Sequence, residues 1–174
     1  MLRDPKAHAL AEQFGGQWLQ FRALESTTRN RERFPDFEDY LRHSMRRETE
    51  LFVENIIRED RSLLDLIDAD FTYLNEPLAR LYGIVDTQGH RRGDSEVRFD
   101  DRIRGDEFVR VRLADKTRGG LLTQASVLTI TSNPTRTSPV KRGKWIPEQL
   151  LGTPPPSPPP DVPELKEDEK AQRS

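Results

Sequence analysis

The strongest constraint on this chain is one apolar stripe. Phe37, Leu41, Met45, Phe52 and Ile56 recur at helical spacing, with Leu51 close by, and such a stripe commits a segment to an amphipathic helix packed on a core. Asp36 precedes it as an N-cap candidate, so the pattern predicts a long helix from there to about Glu59. Arg42, Arg46, Arg47, Glu48 and Glu50 fill the middle of the segment, and they predict a solvated face stiffened by ion pairs one turn apart. Paired carboxylates acting as acid and base need a pocket, and this amphipathic pattern predicts none. Apolar residues make up 33% of the chain and charged residues another 33%, against about 45–50% and about 25% in typical domains. The core must therefore be modest, or a partner must cover part of it.

Other segments follow the same grammar. Asp4-Pro5 reads as a helix start, and Leu10, Phe14, Trp18 and Phe21 form one apolar stripe behind it. Gly15-Gly16 interrupts that stripe, as glycines do where helices approach closely. The polar stretch from Arg22 to Pro35 reads as loop. Ser62 caps a short helix over Leu63–Ile67, and Phe71, Tyr73 and Leu74 read as a brief extended or turn segment. Asn75 caps a second short helix that Gly83 closes. Phe108 to Leu113 alternates apolar and basic residues, which predicts a strand, with Val97-Arg98-Phe99 as its expected partner. Residues 121–130 read as helix for most of their length. Ser138-Pro139 starts another helix, which Pro147 bends or restarts and Gly152 ends. Thr153 to Pro160 holds six prolines, a semi-rigid polyproline spacer or a ligand for a proline-recognition domain. The fold class expected is mainly α, a small helical domain with a short β element and an extended polyproline C-terminal linker.

Several chemistries are excluded or disfavoured. The chain has no cysteine, which removes disulfides, thiolate metal sites, a cysteine nucleophile and covalent haem attachment within it. Net charge is −2, without the basic excess of a nucleic-acid binder. No apolar run is long enough for a membrane span, and the N-terminus lacks the apolar run of a signal peptide. His8, His43 and His90 have no metal-motif spacing, Asp68 and Asp70 lack the rest of a calcium loop, and Ser126 and Ser138 lack a nucleophile elbow. No catalytic or metal-ligating residue is expected.

One segment is unlike a plain scaffold. Residues 108–146 carry eight bases and a single acid, Asp115. Arg118, Gly119, Gly120, Thr135, Arg136, Lys141 and Arg142 make up the candidate ligand site, because Gly-rich turns with nearby cations favour an anion. The competing reading is that these bases pair with acids elsewhere in the domain.

Longer stretches carry a resemblance. Phe14-Gly15-Gly16-Gln17-Trp18-Leu19, Arg47-Glu48-Thr49-Glu50-Leu51-Phe52, Asp60–Leu66, Asp70–Glu76, Arg118–Leu128, Asn133–Trp145 and Leu150–Pro156 together resemble two adjoining planctomycete-type domains of unknown function, the families numbered 1592 and 1588. The resemblance implies the end of one domain over 1–84 and the second domain over 108–153; composition adds a charged loop or insertion over 85–107, a departure from the family's pattern, and a proline-rich linker with a charged tail over 154–174. It also implies a piece of a larger, exported envelope or periplasmic protein in which a cytochrome-c-like haem domain follows the spacer. On this reading the chain itself holds no cofactor, haem c belongs to adjoining domains, and the partners are those domains of the same polypeptide, with no nucleic acid. The function expected is a non-catalytic scaffold or positioning module. The alternative is an anion- or glycan-binding or enzyme-associated module using residues 118–144.

Overall fold

The computed structural model describes residues 4–84, 103–113 and 118–156. These pack around one apolar core, drawn from both ends of the described chain. Helix α3 (Asp39–Arg58) is its axis. Leu41, Met45, Phe52, Val53 and Ile56 of α3 are buried, as the stripe predicts. The helix starts two residues later than expected: Glu38, not Asp36, holds the N-cap position, and no side chain caps it.

The N-terminal segment winds unevenly. A 3-10 turn (Pro5–Ala7), α1 (His8–Leu10), a π-turn (Ala11–Gly15) and α2 (Gly16–Trp18) run in succession. Gln20 then takes the left-handed conformation at φ 60° and a 3-10 turn (Phe21–Leu24) follows. This overturns the first half of the predicted stripe, because Leu10 and Phe14 are exposed, while Trp18 packs on the core and Phe21 is buried. The wide π-turn shifts the helical phase, so Ala11, Gly15 and Leu19 face the core instead. Gly15 is small for a reason: a Cβ there would stand 3.3 Å from Val53 Cγ1.

Beyond α3, α4 (Asp65–Asp68) and the strand β1 (Phe71–Leu74) lead into α5 (Glu76–Leu81). The Asn75 side chain accepts the Leu78 N–H, and Gly83 closes the turn at φ 70°. Strand β2 (Val109–Arg112) pairs antiparallel with β1, Phe71 opposite Arg112 and Leu74 opposite Val109. The strand is where the alternation puts it, but its partner is β1. The expected partner, Val97-Arg98-Phe99, lies outside the described residues.

The helix read over 121–130 is divided. A 3-10 turn (Leu121–Thr123) gives way at Gln124, whose ψ of 143° is extended, and α6 (Ala125–Ile130) begins afterwards. Helix α7 (Pro139–Trp145) is capped by Ser138, which accepts the Lys141 N–H. It passes into a π-turn (Ile146–Leu150). Pro147 lies in that wide turn, where the regular hydrogen-bond ladder is already interrupted, and Gly152 ends the run at φ 62°. Residues 153–156 are exposed and without regular structure.

Candidate functional site

Helix α3 carries a polar seam through the core. Ser44, Glu48 and Thr49 have no exposed surface, which corrects the expectation that Glu48 belongs to a solvated face. The reason is that α3 is covered on several sides at once, by the N-terminal turns, by β1 and α5, and by α6. Each seam residue then finds a buried polar partner, as groups shut off from water must. The Ser44 hydroxyl accepts from Asn75 Nδ2 at 2.8 Å. The Thr49 hydroxyl lies 2.5 Å from the Ser126 hydroxyl and donates to Gln124 Oε1 at 2.8 Å.

Glu48 is the centre of the seam. The Thr72 hydroxyl donates to its Oε1 at 2.7 Å and the Tyr82 hydroxyl to its Oε2 at 2.6 Å. Tyr82 in turn accepts the Ala125 N–H at 2.8 Å, at the start of α6. The Arg118 guanidinium stacks over the Tyr82 ring, 3.9 Å from its centroid. Burial raises the Glu48 pKa to about 7, against the lowering effects of the two hydroxyl donors and of Arg118. Burial also raises the Tyr82 phenol well above its usual range, and the Glu48 carboxylate adds to that. The cavity that Glu48, Thr72 and Tyr82 share is about 10 Å³, room for a water molecule but not for a substrate.

A cleft opens on the other side of Tyr82 and Arg118. Its volume is about 530 Å³, within the usual range of small-molecule sites. Phe37, Leu41, Met45, Tyr82 and Leu128 give it an apolar floor, and Arg29, Arg33, Arg118, Arg136 and Arg142 supply cations. Arg29 bridges the two sides by donating to the carbonyls of Thr129 and Asn133.

Residues 1–84 match PSD4, a protein of unknown function (DUF1592), and residues 118–174 match PSCyt3, a protein of unknown function (DUF1588). The two segments are similar to these two families. No curated protein and no solved structure matches the chain. The DUF1592 and DUF1588 segments meet in both features just described. Glu48, Thr49, Thr72 and Tyr82 of the first face Arg118, Gln124, Ala125 and Ser126 of the second. The Trp18 indole N–H of the DUF1592 segment also donates to the Gln149 carbonyl of the DUF1588 segment at 2.5 Å.

The seven residues read as a ligand site are only partly brought together. Arg118, Arg136 and Arg142 line the cleft. Gly119 and Gly120 instead serve packing against α4: a Cβ on Gly120 would lie 2.4 Å from the Ile67 carbonyl oxygen, and its φ is 61°. The Gly119 N–H is taken by the Thr123 hydroxyl at 2.9 Å. The Thr135 carbonyl accepts from Arg33 at 3.0 Å, and Lys141 is exposed outside the cleft. The residues sequence reasoning missed are Glu48 and Tyr82. The available signal was spacing, since Glu48 lies seven residues after Leu41 and four before Phe52, on the apolar stripe itself.

Among the described residues, no group of three or more His, Cys, Asp or Glu side chains could hold a metal ion. His8 lies 3.6 Å from Glu12, and His43 is exposed. Ser126 is fully buried. No helix of the described residues is long and apolar enough to cross a membrane.

Proposed function

We propose that the chain is a non-catalytic scaffold, a joint that fixes the DUF1592 and DUF1588 segments as one body within a larger envelope protein and holds an adjoining cytochrome-c-like haem domain in place. The observation that carries this reading is the seam. Tyr82, which holds Glu48, accepts the Ala125 N–H and lies under Arg118 across the junction of the two families, and Thr49 meets Gln124 and Ser126 there. The most strongly shifted carboxyl among the described residues is held by that junction, beside a cavity of only about 10 Å³. Shifted acids in enzymes sit where a reacting atom can reach them; Glu48 has no exposed surface. A rigid joint also suits the proline-rich stretch after Gly152, which would set the distance to the next domain. The boundaries proposed are 1–84 and 108–153 for the two helical parts, with 85–107 as an insertion and 154–174 as the spacer and tail.

The test is direct. The continuous reading frame after Ser174 should encode a Cys-x-x-Cys-His haem attachment sequence, and the expressed full-length protein should carry covalent haem. Deleting residues 154–160 should then change the rate of electron transfer to or from that haem while leaving the helical part folded. A frame without the attachment sequence, or an electron-transfer rate indifferent to the deletion, would sink the positioning reading.

A further inference from the structure

Two sets of described arginines are held differently. Arg42, Arg46, Arg47, Arg58, Arg61, Arg80, Arg110 and Arg112 each bind a carboxylate. The five cleft arginines differ: among the described residues no carboxylate forms an ion pair with Arg29, Arg33, Arg118, Arg136 or Arg142. Backbone carbonyls and a hydroxyl hold four of them instead. Arg29 donates to Thr129 and Asn133, Arg33 to the Thr135 carbonyl at 3.0 Å, Arg118 to the Thr123 carbonyl at 3.1 Å, and Arg142 to the Thr131 hydroxyl at 3.3 Å. Such contacts orient a guanidinium without an ion pair; Arg118 also feels the Glu48 carboxylate. Among the described residues Asp36 is the only acid on the lining, and burial already disfavours the charge on Arg29. An anion entering the cleft would recover that cost.

The rest of the lining says what the anion carries. Leu41, Met45 and Leu128 form the floor with Phe37 and Tyr82, and two large apolar side chains stand at the rim, Phe34 at 43% exposure and Leu81 at 47%. Apolar surface of this kind, ringed by fixed polar groups, fits an apolar body rather than a hydrated inorganic ion. We propose that the cleft between the DUF1592 and DUF1588 segments binds a soluble amphiphilic organic acid, its acid group among the arginines and its apolar body on the Leu41, Met45 and Leu128 floor. This inference is independent of the scaffold reading, and it rejects the simple pairing of these bases with acids elsewhere.

The test is calorimetric titration of the full 174-residue chain with three probes below their micellar concentrations. Dodecanoate supplies both parts, acetate the acid alone, and dodecyltrimethylammonium the apolar body alone. Dodecanoate should bind at least roughly tenfold more tightly than either of the others. Arg136→Glu, a change at an exposed side chain, should weaken dodecanoate roughly tenfold or more with the thermal midpoint unchanged. Arg112→Glu, on β2 outside the cleft, should leave binding as it is. Equal binding of the ammonium probe, full binding by Arg136→Glu, or no heat from dodecanoate each overturns the proposal. So does co-sedimentation with phosphatidylglycerol vesicles in the absence of monomer binding, since that would make the surface a lipid-headgroup site.

Discussion

Glu48 and Glu50 sit two residues apart on the same helix and are both buried, yet they are held by opposite means. Glu50 turns to the flank of α3, where Arg46 reaches it at 2.7 Å and Arg47 at 3.1 Å, and Arg46 also contacts Glu12 and Glu25. Glu48 turns to the core and is held by two neutral hydroxyls. The flank keeps its charges beside water; the seam makes its acid hold a proton near neutrality. A carboxylate's worth therefore depends less on how deeply it is buried than on whether a cation or a hydroxyl receives it.

This difference can be broken first through pH. Glu48 holds its proton more tightly folded than unfolded, its pKa rising from 4.5 to about 7. The folded state then binds more protons than the unfolded state within that window, so stability falls as pH rises through it. The expected loss between pH 4.5 and 7.5 is on the order of 3 kcal/mol, read by urea unfolding at a series of pH values. Glu48→Gln should remove that slope while keeping both hydroxyl contacts available. A slope unchanged by the substitution would place the titration elsewhere. Next in size, Tyr82→Phe strips Glu48 Oε2 of its donor and the Ala125 N–H of its acceptor. Its expected cost is about 2 kcal/mol, and because the contacts are shielded from solvent the cost should persist in 1 M salt. Glu50→Gln should show the smallest effect, about 1 kcal/mol, since Arg46 and Arg47 are a quarter and a third exposed. Most of that should vanish in 1 M salt. Similar salt dependence for the Tyr82 and Glu50 variants would erase the distinction between seam and flank.

Much of the fold was legible because local rules act through neighbouring residues. Asn75, Ser138, Gly83 and Gly152 all do at the ends of their helices what their chemistry predicts. The β2 alternation named the right strand, but pairing is a tertiary choice, and β1 lies more than thirty residues earlier. The N-terminal stripe failed at Leu10 and Phe14, though not at Trp18 and Phe21, because a π-turn changes the period that stripe reading assumes. At the candidate site, arginine and glycine counted alike as anion binders. Only coordinates separate Gly120, pressed on the Ile67 carbonyl, from Arg136, which lines a cleft. Glu48 was missed because charge outweighed spacing. A glutamate in register with Leu41 and Phe52 belongs on the buried face, and the hydroxyls that receive it come from Thr72 and Tyr82, remote in sequence.

The central claim is that the two family segments form one cooperative body through the seam. Native-state hydrogen exchange compares them residue by residue. The amides of Phe52 and Val53 in α3 and of Leu128 and Thr129 in α6 should open with the same free energy, and Tyr82→Phe should lower all four together. Exchange in α6 at a clearly lower free energy than in α3, with Tyr82→Phe affecting α6 alone, would contradict the claim and make the DUF1588 segment a separately folding neighbour.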